Sequence, residues 1–330
     1  MLEEKYNALV AEETANGIRP SIKELKVSDI PDNDLLIRVL YSSLNYKDAL
    51  SSHGNRGITK QFPHTPGIDS CGIVIRSKSS DFKEGDYALV CGNDLGMNTA
   101  GGFGQYISVP AEWAMHLPEK LLPEESMMLG TAGFTAALAI HKMQQNGQHP
   151  TQGPVLVTGA TGGLGSLAIN ILAKIGYDVI AATGKTDENS YLNSLGASVI
   201  FSREDVDDKS GKLLLRPRWA GAIDTVGGNI LATVLKGCQR HGNVACCGNA
   251  NSSELNTTVF PFILNGINLL GVDSATTPMP LRKSLWQLLE KEWRPDALHQ
   301  ISKTVNLSEL PGKIELILQG KIRGRIVVKH

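Results

Sequence analysis

The sequence predicts an α/β protein of two domains, an all-β region followed by a doubly wound sheet of parallel strands. Strand and helix patterns alternate through the second half of the chain, and the first such unit contains a glycine-rich turn. About 150 residues precede that turn, and their short strand patterns are separated by Gly, Pro, Asp and Ser. A chain of 330 residues is long enough for two domains with sizeable cores.

The N-terminal region has the pattern of an all-β domain. The predicted strands are Leu35–Tyr41, Gly72–Arg76, Tyr87–Val90 and Tyr106–Val109. Phe82–Asp86 is a turn before one strand, and Gly101–Gly104 is a flexible loop before another. Near Pro123 the pattern becomes helical, and Thr131–Met143 is predicted as a helix of small residues that leads into the second domain.

The segment Val155–Gly165 joins an apolar strand to a glycine-rich turn and an amphipathic helix, and the strand Val179–Ala182 follows. This context favours a dinucleotide-binding turn over a tight turn that holds no ligand. A pyrophosphate must approach the backbone N–H groups at the helix start, where the helix dipole favours negative charge. Side chains at Gly162 and Gly163 would block that approach, whereas Gly165 lets the helix pack closely.

Strands and helices continue to alternate after this unit. The predicted elements are strand Val199–Phe201, strand Ala220–Thr225 with a helix to Leu235, strand Asn243–Cys247, strand Ile267–Val272, helix Leu281–Trp293 and a terminal strand within Arg323–Lys329. Ligands of open α/β sheets bind at the carboxyl ends of the strands. We therefore expect one crevice to be lined by Thr183–Lys185, Ser202-Arg203, Thr225–Gly228, Gly248–Ala250 and Asp273-Ser274.

The end of the second strand of this sheet indicates which dinucleotide binds. NAD-binding folds usually place an acid there for the ribose 2′-hydroxyl, but the sequence has Thr183, Gly184 and Lys185. Asp178 precedes the strand and so lies at its other end. Lys185, and Arg203 after the third strand, suit a 2′-phosphate instead, although each could also be a solvated surface charge. The expected cofactor is NADPH.

Composition excludes several classes of protein. The net charge is −1 without a basic stripe, so no nucleic-acid partner is expected. No apolar run reaches the roughly 18 residues of a membrane span. Residues Met1–Tyr6 lack the apolar core of a signal peptide. The odd number of cysteines, 5, fits reduced thiols and a cytoplasmic location.

Several stretches together resemble the medium-chain dehydrogenase/reductase superfamily. They are Ser43–Asp48, Pro66–Asp69, Phe82–Asp86, Gly101–Gln105, Gly130–Ala136 and Val157–Gly165. Asn45–Asp48, with Val272–Ser274 and Gly324-Arg325, is similar to the branch of quinone oxidoreductases and NADPH-dependent acryloyl-CoA reductases. The resemblance implies a GroES-like β-barrel catalytic domain over residues 1–121, a Rossmann domain over 122–298 and a C-terminal return to the catalytic domain over 299–330.

Zinc alcohol dehydrogenases of this superfamily have a Cys at the position of Asn45 and a His at that of Ile68, followed by an acid where Asp69 stands. Neither Asn45 nor Ile68 provides such a ligand, and Cys91 stands alone where a four-cysteine lobe would be. We therefore expect no metal. The isolated residues His53, His64 and His116 are not expected to be ligands.

The resemblance also implies the chemistry and the residues that carry it. A zinc-free reductase would transfer hydride from NADPH to the β-carbon of an activated alkene, such as acryloyl-CoA or another short enoyl thioester. Asn45 and Tyr46 are the expected hydrogen-bond donors near the reacting centre, whereas Asp48 either takes part, caps the helix or orients Lys47. The implied cofactor contacts are Tyr46, Thr161, Gly162, Gly163, Leu164, Thr183, Gly184, Lys185, Arg203, Asn249, Ile263, Ser274 and Arg325.

Two alternative functions remain open. One is an NADPH:quinone oxidoreductase, and the other is a crystallin-like or RNA-binding protein with NADPH as a stabilising ligand. A short-chain dehydrogenase is excluded, because Tyr191 is followed four residues later by Leu195 rather than Lys. Strand Ile267–Val272 is expected at the edge of its sheet, and pairing of that edge predicts a homodimer.

Overall fold

The structure, a computed structural model, describes residues 4–330. Its strands are β1 (Lys5–Thr14), β2 (Gly17–Lys26), β3 (Leu35–Leu44), β4 (Asp69–Ser77), β5 (Tyr87–Cys91), β6 (Tyr106–Val109), β7 (Ala114–His116), β8 (Val155–Thr158), β9 (Val179–Thr183), β10 (Val199–Ser202), β11 (Trp219–Asp224), β12 (Cys238–Cys246), β13 (Asn268–Gly271), β14 (Ser302–Asn306) and β15 (Arg325–Lys329). Its α-helices are α1 (Tyr46–Ser52), α2 (Pro123–Gln145), α3 (Gly163–Lys174), α4 (Asn189–Ser194), α5 (Gly228–Lys236), α6 (Phe260–Asn265), α7 (Met279–Glu290), α8 (Leu298–Ile301) and α9 (Leu310–Leu318).

The chain forms two compact units. The first contains the described residues up to Thr131 together with 275–290 and 298–330, and the second contains 132–274 and 291–297. Residues 275–290 belong to the first unit because Arg282 donates to the carbonyls of Cys91 and Ala275. The sequence prediction instead assigns residues 275–290 to the nucleotide-binding domain. It also places the first domain boundary after residue 121, whereas the structure places it after Thr131.

The first unit is built on a seven-stranded sheet in the order β14-β15-β3-β4-β5-β7, with β6 also pairing with β3. Most pairs are antiparallel, and only β14 and β15 are parallel. One apolar cluster, including Leu35, Val74 and Ile107, fills the sheet interior. A second cluster buries α9 against the C-terminal strands through Leu310 and Val328.

The second unit is a six-stranded sheet in the order β10-β9-β8-β11-β12-β13, with every pair parallel. Numbered from β8, this is the 3-2-1-4-5-6 order of doubly wound dinucleotide-binding sheets. Its core contains Leu156, Ile180 and Val244, and the fully buried Trp219 donates its indole N–H to the carbonyl of Val234 at 3.0 Å. The predicted α/β fold class is confirmed.

Some elements differ from the sequence pattern. The hairpin β1–β2 is not predicted, because β2 is largely exposed and lacks an apolar face. The helix predicted from Thr131 begins at Pro123, since α2 runs through a kink at Gly130. No helix among residues 4–330 is long and apolar enough to cross a membrane.

Candidate functional site

The first group of site residues surrounds the start of α1. Asn45 is the N-cap residue between β3 and α1, and its backbone N–H donates to Asp48 Oδ2 at 2.8 Å. Asp48 Oδ1 accepts the backbone N–H of Ile68 at 2.9 Å. The fully buried carboxylate of Asp48 therefore ties the helix start to the chain before β4.

Burial is the main cause that raises the pKa of Asp48 to about 7, and the negative charge of Asp69 raises it further. The N–H groups of Asn45 and Ile68 act in the opposite direction, because they stabilise the ionised carboxylate. Capping, one of the roles that the sequence left open for Asp48, is the one that its contacts support.

Asp69 is the centre of a buried polar cluster, which we define as Ser43, Asn45, Asp69, Thr131 and Arg325. The Asp69 carboxylate is fully buried and accepts hydrogen bonds from four donor groups. These are the Ser43 hydroxyl at 2.6 Å, the Asn45 amide at 2.8 Å, the Thr131 hydroxyl at 2.6 Å and the Thr131 backbone N–H at 3.0 Å. A charge this deep is tolerated because donors surround it.

Arg325 is the cation of the buried polar cluster and is only 3% exposed. Its Nη1 donates to Asn45 Oδ1 at 2.9 Å and to the Leu44 carbonyl at 3.2 Å. Its Nη2 donates to Ser43 Oγ at 2.6 Å and lies 3.6 Å from Asp69 Oδ2, while Nε donates to the Met128 carbonyl. Its donors are thus committed within this unit, which does not favour the direct cofactor contact that the resemblance implies.

Gly130 closes the buried polar cluster at the kink of α2. Its φ is 50°, and a Cβ there would lie 2.6 Å from Asp69 Oδ2 and 2.7 Å from both Arg325 Nη2 and Ser43 Oγ. The kink interrupts the helix, so the N–H of Thr131 is directed to Asp69 instead of a helical carbonyl. Only glycine fits this position.

Within the same unit, Asn45 and Tyr46 have different environments. The Asn45 amide donates to Asp69 and, at 3.3 Å, to the Ser43 carbonyl, while its oxygen accepts from Arg325. Its carboxamide is therefore fully engaged, which supports a positioning role rather than donation to an oxyanion. Tyr46 is 39% exposed, so it is not a core tyrosine.

The second group of site residues lies at the carboxyl edge of the parallel sheet. Between β8 and α3, Gly159 has a φ of 59°, and a Cβ at Gly165 would lie 2.4 Å from the Gly159 carbonyl oxygen. The glycines thus let α3 begin tightly against the turn. Gly162 is the N-cap residue of α3, and the first N–H groups of any helix lack intrahelical acceptors. Thr161, Gly163 and Leu164 belong to the same turn and helix start.

The strand order changes direction between β8 and β11, where Thr158 and Asp224 join the two strand ends. Thr158 Oγ1 donates to Asp224 Oδ1 at 2.7 Å, and the Gly227 N–H donates to Asp224 Oδ2 at 2.8 Å. Burial raises the pKa of Asp224. Thr225 also donates to the Thr158 carbonyl. This is the topological switch point at which open sheets bind ligands.

Lys185 and Arg203 lie beyond neighbouring strand ends. Thr183 of β9 is paired with Ser202 of β10, so both basic residues follow the sheet at the same edge. The Lys185 backbone N–H donates to Thr183 Oγ1 at 3.0 Å. Asp178 stands before β9 and accepts from Ser198, at the opposite end.

The remaining residues of the implied cofactor set are spread over the second unit. Asn249 is exposed after β12, Ile263 is 67% exposed on α6, and Ser274 is the half-buried residue that ends the long segment of this unit. Their contacts with a cofactor stay predictions.

Two family models match the chain. Residues 31–119 match the alcohol dehydrogenase GroES-like domain, and residues 163–291 match the zinc-binding dehydrogenase model. Among curated sequences, the Bacillus subtilis protein named "putative quinone oxidoreductase YhfP" is 44% identical over 98% of both chains. The acrylyl-CoA reductase AcuI of Ruegeria pomeroyi is 40% identical, again over 98% of both.

Solved structures agree with these matches. Bacillus subtilis YhfP with NAD bound superposes with a TM-score of 0.96 at 43% identity, covering 99% of this chain and 100% of that one. Escherichia coli YhdH with bound NADPH has a TM-score of 0.95 at 40% identity, covering 98% and 99%. The chain belongs to the medium-chain dehydrogenase/reductase superfamily. It lies in the branch of the quinone oxidoreductases and acrylyl-CoA reductases, as the sequence resemblance implies, and is an oxidoreductase.

Membership in this superfamily raises the question of zinc. The positions at which its zinc class has Cys and His ligands hold Asn45 and Ile68, and Asn45 is hydrogen-bonded within the buried polar cluster. Within the described residues, no three His, Cys, Asp or Glu side chains form a group that could hold a metal. The donor set does not fit zinc, and the metal-free mechanism stays a prediction.

Sequence reasoning missed Ser43, Thr131 and Gly130 as site residues and treated Asp69 only as the acid that follows Ile68, where a zinc ligand is lost. Each is a single polar or small residue, and they are far apart along the chain. They do lie in the stretches that resemble the superfamily, which was the available signal.

Proposed function

We propose that this protein is a zinc-independent NADPH-dependent reductase of activated alkenes, with acryloyl-CoA or a similar short enoyl thioester as substrate. The full-length similarity to a protein named as an acrylyl-CoA reductase carries the proposal. NADPH, when bound, supplies a hydride for the β-carbon of the alkene, and the α-carbon takes up a proton.

Tyr46 is the residue to which we assign contact with the reacting groups. Reduction of an enoyl thioester places negative charge on the thioester oxygen, which needs a preorganised donor. Tyr46 is exposed, and the helix that carries it is fixed by Asp48 and the buried polar cluster. Asn45, Asp48 and Arg325 serve as positioning residues in this proposal, because their side chains bind to one another and to the backbone.

The cofactor is NADPH. The solved relatives carry different dinucleotides, NAD in one and NADPH in the other, so the residues of this chain must decide. Lys185 and Arg203 follow adjacent strand ends, and Asp178, which immediately precedes β9, stands at the opposite end of that strand. A charge-assisted hydrogen bond is worth roughly 1.5–3 kcal/mol, so each contact should favour NADPH by about tenfold or more.

Cofactor preference is tested by titrating the purified protein with NADPH and NADH and following fluorescence. We expect tighter binding of NADPH, and a smaller difference in Lys185→Ala. Equal affinities in the parent protein would contradict the choice of cofactor.

Oxidation of NADPH, followed by absorbance, tests the substrate. The acceptors to compare are acryloyl-CoA, crotonyl-CoA, a benzoquinone and a simple alkenal. We expect the highest kcat/KM for acryloyl-CoA. The alternative is an NADPH:quinone oxidoreductase, favoured by the name of the Bacillus subtilis relative, and much faster turnover of the quinone would establish it. Turnover of any acceptor would exclude a purely NADPH-binding protein.

Assembly and location complete the proposal. The second unit exposes Leu269 in β13, the edge strand of the sheet, and Val259, Ile263 and Leu264 in the segment before it, which supports a homodimer. All five cysteines are free thiols, which supports a cytoplasmic location.

A further inference from the structure

Gly184 and Arg203 are in direct contact at the carboxyl edge of the parallel sheet. A Cβ built on Gly184 would lie 2.6 Å from Arg203 Nη2, 2.9 Å from Cζ and 3.0 Å from Nε. Real Cβ atoms do not approach other atoms this closely, so the guanidinium occupies the space that a side chain at 184 would need. The Arg203 head group therefore rests on the backbone of Gly184.

The backbone does not require glycine at this position. Gly159 and Gly176 have φ values of 59° and 87°, which L-residues rarely adopt, but the φ of Gly184 lies outside that region. The three atoms nearest to the built Cβ all belong to Arg203. A side chain at 184 would therefore displace the flexible end of Arg203 without straining the backbone.

The backbone that carries Arg203 is held in place. Ser202 donates its N–H and its hydroxyl to Asp205 Oδ2 at 2.8 and 2.9 Å, and the Val206 N–H donates to the Arg203 carbonyl at 3.2 Å. Asp205 is thereby engaged with Ser202, and the hydrogen bonds from Ser202 lower the pKa of the Asp205 carboxyl. Within residues 4–330, no carboxylate or carbonyl accepts a hydrogen bond from the Arg203 guanidinium. Its donors remain available to an anion.

We propose that Gly184 determines cofactor specificity by seating the Arg203 guanidinium, which binds the phosphomonoester on the adenosine ribose of NADPH. The inference rests on the proposed use of NADPH and adds a residue whose role is to leave space. A methyl group at 184 displaces the guanidinium while leaving its charge on the protein. The variant should then lose affinity only for ligands with a 2′-phosphate, because NADH has only a hydroxyl at that position.

The test is a double-mutant cycle of Gly184→Ala and Arg203→Ala, with dissociation constants for NADPH and NADH. Titration with 2′,5′-ADP and 5′-AMP repeats the comparison without the nicotinamide half or turnover. We expect Gly184→Ala and Arg203→Ala each to weaken NADPH and 2′,5′-ADP by about tenfold or more. Binding of NADH and 5′-AMP should stay within about twofold, and the double variant should be no weaker than Arg203→Ala.

Gly312→Ala is the matched control, because a Cβ there meets no atom within 4 Å and its φ is ordinary. Equal weakening of NADPH and NADH by Gly184→Ala would overturn the inference, and so would additive losses in the double variant. In Arg203→Ala the clashing atoms are absent, so the double variant tests coupling even if Gly184→Ala alone folds poorly. A parent protein without preference for NADPH would instead refute the proposed cofactor, while a preference unchanged by Gly184→Ala refutes this inference alone.

Discussion

Tyr46 and Asn45 are neighbours in the chain with opposite relations to solvent. The Asn45 carboxamide is saturated by Asp69, Ser43 and Arg325, whereas Tyr46 is exposed at the first position of α1. A group that contacts a substrate must be accessible, and a group that orients it must be fixed. Tyr46 is accessible to a substrate, and Asn45 is fixed and can orient it.

Tyr46→Phe should lower kcat for acryloyl-CoA by about 10²–10³-fold, the usual effect of removing one preorganised donor. The ring is retained, so the dissociation constant for NADPH should change by less than about twofold. Tyr87→Phe is a matched control, because Tyr87 is also exposed in the first unit. Steady-state kinetics decide the matter, and a parent-like kcat in Tyr46→Phe would exclude the hydroxyl from the reaction.

Asp48 should make stability depend on pH. Its folded pKa is raised to about 7 by burial, and its unfolded value is about 4, so between these values the folded state binds more protons. The stability contributed by this group is therefore complete below about pH 4 and is lost as the pH rises through about 7. Urea unfolding of the parent and of Asp48→Asn should show a difference in free energy that declines over this window. A difference that stays level or grows with pH over this window would show that the folded state does not raise the pKa of Asp48.

At the scale of elements, the sequence predicted what is local. The glycine turn, α3 and the strands of the parallel sheet follow from apolar periodicity and from glycines close together in the chain. The buried polar cluster joins β3, β4, the kink of α2 and β15. The periodicity of apolar residues does not reveal that these elements lie next to one another. The hairpin β1–β2 also escaped prediction, because β2 alternates between half-buried and exposed residues without an apolar face.

The kink in α2 should be intolerant of a side chain. Gly130→Ala would place a Cβ within 2.7 Å of three polar groups and force an L-residue to a φ of 50°. The combination of a φ of 50° and a ψ of −155° is adopted almost only by glycine and costs other residues roughly 1–3 kcal/mol, and displaced partners of Asp69 and Arg325 add to it. Thermal unfolding should show a clear drop in Tm, while Gly312→Ala should match the parent or exceed it. A Gly130→Ala variant as stable as the parent would mean that the kink relaxes without disturbing the buried polar cluster.

At the scale of the whole molecule, β13 ends the parallel sheet and has a neighbouring strand on one side only, β12. Its free edge offers unpaired backbone groups, which proteins usually cover or pair. Leu269 in β13 is 37% exposed, and Val259, Ile263 and Leu264 add exposed apolar surface in the segment before it. Pairing of two such edges across a two-fold axis would satisfy the backbone and bury these side chains.

Leu269→Glu should therefore convert the proposed dimer into monomers. Two carboxylates brought together at a symmetric interface repel each other and lose hydration, whereas a glutamate on a free surface costs little. Light scattering at micromolar concentration should give twice the chain mass of 35.5 kDa for the parent and a single chain mass for the variant. Leu213→Glu is the control, because Leu213 is exposed in the same unit on a loop and should leave the mass unchanged. A monomeric parent would refute the dimer, and a dimeric Leu269→Glu would place the interface on another surface.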